Sequence, residues 1–357
     1  MIESGDIARC GARDSVRYDA EWKRARSIAP LRGADLDAYH ANERMSERMF
    51  EHVPVLLEEV LGALNVRAGG VYLDATFGRG GHTAAILEQV GKEGRVIAID
   101  RDPDAIAAGC ERFATEQRLT LVNSPFSRLR EVAAQLGLLG GLDGVLLDLG
   151  VSSPQLDDAA RGFSFAQDGP LDMRMDNRAG ESAAQFIART SERELARIIR
   201  DYGEERFAKR IARAIVAARA SRPITRTTQL AEIVAQAVPT REPGKHPATR
   251  TFQALRIHVN DELGEIEAAL DGALEALAPA GRLCVISFHS LEDGIVKRFI
   301  QRHSQDDPIY AGLPHIPPHA RAKLVRVGKA VHPSPEEVAR NPRARSAIMR
   351  VAQRVAA

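Results

Sequence analysis

The sequence predicts an α/β protein in which a helical insertion interrupts a doubly wound, mostly parallel sheet. Three observations predict it. From Val71 to Asp100 the chain reads strand, glycine loop, helix, turn, strand. Short apolar runs recur at 119–122, 144–149 and 282–288, with helical periodicity between them. From Asp157 to about Gly244 that alternation stops, and the pattern is helical alone.

In the first stretch, Val71, Tyr72 and Leu73 form an apolar run that ends at Asp74, and Gly78, Gly80 and Gly81 follow. The helix starting near His82 puts Ala85, Ile86 and Val90 on one side. Gly91 and Gly94 stop it, and Arg95–Ile99 is a second strand ending on Asp100. An acid about 20 residues beyond a glycine turn can accept hydrogen bonds from both hydroxyls of a ribose. A nucleoside-containing cofactor follows. The loop runs T-F-G-R-G-G and not G-x-G-x-x-G. A pyrophosphate needs backbone N–H groups at a helix N-terminus, whereas a loop opened by Asp74 suits a cofactor with a positive amino group. S-adenosylmethionine is such a cofactor, and NAD is the rival.

The chain of 357 residues, 44% apolar, is long enough for one and a half to two domains with a full core. A net charge of +1 gives no global case for nucleic acid, so any basic surface must be local. Cys10, Cys110 and Cys284 are far apart and form no C-x-x-C, which predicts a reducing compartment without disulfides or a metal. No run of about 18 apolar residues and no signal-type N-terminus are present, so a cytoplasmic protein without membrane contact is expected.

Residues 1–50 are polar, without sustained apolar periodicity, and read as a disordered or loosely helical tail outside the core. The core is expected over 51–156 and again over 250–357, with the insertion at 157–249. Pro103, with an acid on either side, marks a helix start after Asp100. Phe126 lies just past the third strand, on the face where cofactors sit; adenine contact and core packing are equally open to it. Asp148 ends the fourth strand, inside an apolar run where a carboxylate is costly without a partner, which favours a ligand role. Ser152-Ser153-Pro154-Gln155 follows at once.

In the insertion, Ser191–Arg200 and Glu204–Arg219 are the clearest helices. Arg206, Lys209, Arg210 and Arg213 share a face of the second, either a solvated surface or a contact for an RNA backbone. From Phe252 to Leu277 the apolar residues advance by threes and fours as one long helix, leaving Arg250, Arg256 and Asn260 free for solvent or substrate. The fifth strand, Arg282–Phe288, leads into His289-Ser290-Leu291-Glu292-Asp293, where Ser290 is expected to cap a helix and His289 to pack, an acid/base role for His289 being the alternative. Lys323–Val327 and Ser346–Val351 supply two late strands.

These stretches together resemble one family, the bacterial 16S rRNA (cytosine-N4) methyltransferases, known as ribosomal RNA small subunit methyltransferase H. The resemblance rests on HVPVLLEEV, DATFGRGGHT, AIDRDPDAI, LLDLGVSSPQLDDAARGFSF with DGPLDMRMD, YGEERFAKRIARAI, HPATRTFQALRI, ISFHSLED and NPRARSAIMR. It covers nearly everything from residue 51 to 355. It implies a class I, Rossmann-like, S-adenosylmethionine-dependent methyltransferase sheet with an inserted helical domain. It further implies cofactor contacts at Gly80, Gly81, His82, Asp100, Phe126, Asp148 and Gln155. The implied substrate is a cytidine of the 16S rRNA decoding region within the small subunit.

The chemistry is also approached by elimination. Methylation at cytosine carbon 5 generally needs a cysteine nucleophile, and none lies in the loop after the fourth strand. Ribose 2′-O methylation usually relies on a lysine, and none is near Asp148. An exocyclic amine needs only acceptors for its N–H groups. Ser152-Ser153-Pro154 resembles the S-P-P-[YFW] loop of amino-methyltransferases, with Ser152 and the Ser153 carbonyl as expected acceptors and Pro154 keeping that carbonyl extended. Gln155 departs from the pattern and leaves no stacking aromatic there, a place that Phe163 or Phe165 could fill.

Overall fold

The computed structural model describes residues 54–240, 244, 246–311 and 315–356, together with the backbone of 7–9. In chain order the elements are β1 (Ile7–Arg9), α1 (Leu57–Leu64), β2 (Val71–Asp74), α2 (Gly81–Val90), β3 (Arg95–Asp100), α3 (Pro103–Arg112), β4 (Leu119–Asn123), α4 (Leu129–Gln135) and β5 (Leu142–Asp148). α5 (Ser153–Asp157) follows β5, and the insertion holds α6 (Ala183–Arg189), α7 (Glu192–Gly203), α8 (Ala208–Ser221) and α9 (Thr227–Ala237). Then come α10 (Thr249–Asn260), α11 (Glu262–Ala276), β6 (Leu277–Ser287), α12 (Ser290–His303), β7 (Leu324–Val331), α13 (Pro335–Arg340) and β8 (Ile348–Arg354).

The strands form one sheet in the order β1-β4-β3-β2-β5-β6-β8-β7. β4, β3, β2, β5 and β6 run parallel, and β8 is antiparallel to both its neighbours. The order reverses between β2 and β5, the switch point where a doubly wound sheet opens a crevice at its carboxyl edge. Both faces of the inner strands are covered, which is why these strands read as continuous apolar runs. α4, α11 and α12 pack one face through Val132, Leu270 and Val296. α1, α2 and α3 pack the other through Val60, Ile86 and Ile106.

The expected long helix from Phe252 is in fact two helices. Asp261 takes a left-handed conformation (φ 48°) and separates α10 from α11. The threes-and-fours spacing persists because each half faces its own core. Phe252, Ala254 and Leu255, beyond the expected boundary at 249, join the insertion's cluster with Phe186, Ile198 and Ile211. Ile266, Ala269 and Leu270 join the sheet's.

The N-terminal tail is corrected at one point. Ile7–Arg9 pairs antiparallel with β4 at the sheet edge, while the rest of residues 1–50 lies outside the described residues. A three-residue edge strand closes no face of the inner core. A chain beginning at Met49 is therefore expected to keep its activity and to melt within a few degrees of the full chain, as differential scanning calorimetry and a methylation assay would read. Loss of activity would show that the tail is needed. Among the described residues, no helix is long and apolar enough to cross a membrane.

Candidate active site

The parallel register brings the ends of four strands together. Asp74 pairs with Ala98 and Leu146, Asp100 with Asn123, and Asp148 with Ile286. Asp74, Asp100, Phe126 and Asp148 therefore sit at or just beyond neighbouring carboxyl ends, around the loop 75–80.

The glycines of that loop are required by space. At Gly80, which caps α2 at φ 70°, a Cβ would lie 2.6 Å from the Phe77 ring. At Gly81 it would lie 2.4 Å from Pro54. Asp74 anchors the loop from below. Its Oδ1 accepts from the Thr76 N–H at 3.1 Å, and its Oδ2 from the Thr83 hydroxyl at 2.7 Å. Thr76 Oγ1 in turn accepts the Asp148 N–H at 2.7 Å, tying β2 to β5. Asp74 is thus a buried scaffold residue rather than a free ligand.

Asp100 accepts the Gly78 N–H at 2.7 Å and the Asp102 N–H at 2.8 Å. Burial pushes its carboxyl up to about 6 against the pull of those two donors. Asp148 rises well above the ordinary carboxyl range, through burial first and then through Asp74 and Glu292. Its Oδ1 is buried with no hydrogen-bond partner. Among the described residues, none of Asp74, Asp100 and Asp148 pairs with Lys or Arg. His82 Nδ1 lies 3.7 Å from Asp148 Oδ2. His82 Nε2 is 3.0 Å from the Val55 carbonyl, an acceptor only, so the ring proton sits on Nε2. Burial holds His82 below its ordinary value, so the ring adds no positive charge to the pocket. Such a pocket fits a cationic cofactor and opposes a pyrophosphate.

Phe126 opens a short 3-10 turn after β4 and is half-buried, packed on the sheet's core. Gln155 is buried and fully engaged. Its Oε1 accepts the Ser152 N–H at 3.0 Å, and its Nε2 donates to Asp102 Oδ2 at 2.8 Å. Arg161 Nη1 reaches the same Asp102 oxygen at 2.8 Å, while Nη2 donates to the Met175 carbonyl at 2.8 Å. This Asp102–Gln155–Arg161 junction was not legible beforehand. Its one signal was the acid before Pro103, which reads only as a helix cap.

Several expectations change here. Ser153 begins α5, and the extended residue is Ser152 (φ −72°, ψ 155°), so Pro154 does not hold the Ser153 carbonyl extended. Proline is well suited to the first turn of a helix, and that role prevails. Phe163 is buried in the insertion's core, and Phe165 packs between His246 and Phe252 at 4.6 and 4.7 Å. Neither stands free beside the loop. Phe288, at the end of β6, lies against Gly150 instead.

Asn260 and Arg256 are also not free. Asn260 is buried, accepting the Met175 N–H and donating to the Met173 carbonyl, both at 2.8 Å. It holds Met173 in a left-handed conformation (φ 65°). Arg256 clamps both Glu262 oxygens at 2.7 Å. Arg250 donates to the Glu204 carbonyl at 3.2 Å. The α12 cap is His289 and not Ser290: the His289 ring accepts from the Glu292 N–H, whereas Ser290 reaches Glu204. Glu262, His289 and Glu292 bring ligand atoms within 4.8 Å of one another. With Arg256 already on Glu262, a divalent cation would have to displace a guanidinium. Of the basic residues in the insertion, Arg206 donates to Thr240 at 2.7 Å and Arg213 lies 3.7 Å from Glu192. Lys209 and Arg210 are exposed on α8.

A sequence model of the MraW methylase family matches residues 49–355. A protein of Shewanella amazonensis, named ribosomal RNA small subunit methyltransferase H, is 55% identical over 308 residues, covering 86% of this chain and 98% of its own. A protein of the same name from Shewanella oneidensis is 54% identical with the same coverage.

Proposed function

The chain belongs to the MraW methylase family, and from that premise we propose that it methylates the N4 amine of a cytidine in 16S rRNA, with S-adenosylmethionine as methyl donor. The observation that carries the reading is the set of carboxylates at the ends of β2, β3 and β5, none neutralised by Lys or Arg among the described residues, with Asp148 Oδ1 unpartnered. Asp100 is suited to the ribose hydroxyls, Phe126 to the adenine face and Asp148 to a positive or N–H-bearing group. Gly80, Gly81 and His82 shape the loop. Gln155 acts by orienting Ser152.

When bound, S-adenosylmethionine supplies the methyl group. The protein's part is to hold the acceptor amine in line and keep its N–H groups on oxygen acceptors. We place this work on the assembled small subunit in the cytoplasm, since the decoding region takes its shape there. Labelled S-adenosylmethionine, incubated with the protein and small subunits lacking the modification, tests the reading. Label on a 16S cytidine is expected; label on protein or on another nucleotide would overturn it.

The α8 face is the proposed RNA contact of the insertion. Replacing Arg206, Lys209, Arg210 and Arg213 with Gln is expected to weaken RNA binding and flatten its salt dependence. Each lost phosphate contact removes about 0.7–0.9 from the log–log slope. S-adenosylmethionine affinity should not move. An unchanged slope would leave the stripe a solvated face.

A further inference from the structure

A run of unpaired positive charge in the core lies away from both the cofactor pocket and α8. Between residues 294 and 330 the sequence has seven Lys or Arg against two Asp, in a chain whose net charge is +1. All seven are exposed. None forms an ion pair with a carboxylate among the described residues, and Asp306 and Asp307 are occupied in capping the backbone N–H groups of Ala322 and Ile309.

Part of this charge rims a groove of about 250 Å³ between α12 and β7, where Lys297, Arg326 and Lys329 surround a floor of Ile300 and Val327. Arg350 also lines it but is held by Asp293 at 2.6 and 2.8 Å. Three features make it more than a solvated face. β7 is the outer strand of the sheet, so its outward N–H groups have no strand partner among the described residues. The register shifts between Val327 and Val331, around Gly328 at φ 67°, and such a bulge re-aims neighbouring side chains at an edge. The Ser304 hydroxyl, at the groove lining, is buried with no hydrogen-bond partner.

We propose that this groove is a second phosphate-backbone contact for the RNA substrate, built on the core sheet and separate from the insertion. The proposal rests on the RNA-methylating reading above. Free cations and open N–H donors, with no carboxylate among the groove's lining residues, match a polyanion that accepts hydrogen bonds. Two strand spacings, about 10 Å, separate β7 from β6, whose end borders the proposed reaction site. An RNA that presents one base at β5 and β6 extends well past that distance. The groove would bind its flanking backbone and so fix the approach of the target nucleotide.

The test is the triple variant Lys297→Gln, Arg326→Gln, Lys329→Gln in the full chain, assayed with a 16S rRNA transcript and with small subunits. Loss of three phosphate contacts is expected to lower the salt slope of transcript binding by about 2 to 3. KM for RNA should rise about 10-fold or more, with kcat and S-adenosylmethionine affinity unchanged. The charge-preserving variant Lys297→Arg, Arg326→Lys, Lys329→Arg should keep the parent slope. An unchanged slope and KM in the Gln variant would overturn the proposal. Weakened binding to small subunits alone, with transcript binding intact, would overturn it too, by assigning the groove to an acidic protein. If the groove-dependent slope is seen but the label is not on a cytidine, the functional reading fails and the groove stands.

Discussion

Asp100→Ala is expected to weaken S-adenosylmethionine binding about 10- to 100-fold, because hydrogen bonds to a charged acceptor are worth about 1.5–3 kcal/mol. The side chain also accepts the Gly78 and Asp102 N–H groups, so part of the loss could come from a loosened loop. A cycle separates the two effects. If Asp100 holds the ribose, a cofactor analogue lacking the ribose hydroxyls should lose affinity for the parent and little further for the variant. Additive losses in calorimetry would place the ribose elsewhere. The pH dependence has a definite sign. Burial raises this carboxyl to about 6, and the protonated form is a poorer acceptor, so affinity should fall as pH drops through about 6. Stability of the unliganded protein should run the other way. A folded-state value above the ordinary 3.8 means that the folded chain binds the extra proton between about 4 and 6. The contribution of Asp100 to stability is then greatest at the acid end and declines as pH rises through that window. Asp148 shifts in the same direction, and cofactor binding should offset the cost of both charges.

The parts legible in the sequence were those whose signal is local. The β2–loop–α2–β3 unit was readable because one glycine loop, one helix period and one acid fall within 30 residues, and the sheet ends at Asp74, Asp100 and Asp148 lie where the apolar runs stop. The misreadings share a cause: each needed a partner distant in sequence. Asn260 falls off its helix's apolar stripe, yet it is buried because the 173–175 loop, 85 residues earlier, offers both a donor and an acceptor. Arg256 looked free because Glu262 lies across the α10–α11 break, which apolar spacing alone does not reveal. The Pro154 error was a contest between two local rules. Pre-proline extension and proline's fitness for a first helical turn make opposite statements about Ser153, and Gln155 capping the Ser152 N–H tips the balance to the helix. The groove beside β7 was visible as charge in the sequence, but only the sheet order places that charge at an edge.

N4-methylcytidine is the expected product, with no covalent enzyme–RNA intermediate at any stage. Attack through carbon 5 would need a thiolate beside the ring. Cys284 is buried in the middle of β6, where burial pushes its thiol far up, and Cys110 lies on α3. Cys10 falls outside the described residues. The exocyclic amine needs no such nucleophile. Its lone pair is delocalised into the ring, so the site must hold the N–H groups on acceptors and turn the lone pair toward the methyl carbon. Held by Asp100 and Phe126, S-adenosylmethionine would supply the methyl group to N4, which would release one proton in exchange. Ser152 is placed for the first task. A Cβ added at Gly78 would lie 3.8 Å from the Ser152 β-carbon, which puts Ser152 beside the glycine loop, and Gln155 fixes its backbone. Its carbonyl carries one hydrogen bond, a long 3.3 Å contact from the Leu156 N–H, and so keeps acceptor capacity that the helical Ser153 was expected to supply. Ser152→Ala keeps that carbonyl but removes the hydroxyl, the other expected acceptor, and should lower kcat about 10-fold, the worth of one hydrogen bond of about 1.4 kcal/mol made in the transition state. Pro154→Ala should lower it by a similar factor by loosening the first turn of α5. Cofactor affinity should stay within about 2-fold in both, since among the described residues neither hydrogen-bonds the Asp100 carboxylate proposed for the ribose. Mass spectrometry of digested product RNA reads the outcome. 5-Methylcytidine, or enzyme trapped on 5-fluorocytidine RNA, would overturn the mechanism, whereas a Ser152→Ala variant that loses cofactor binding together with kcat would move Ser152 into the cofactor site.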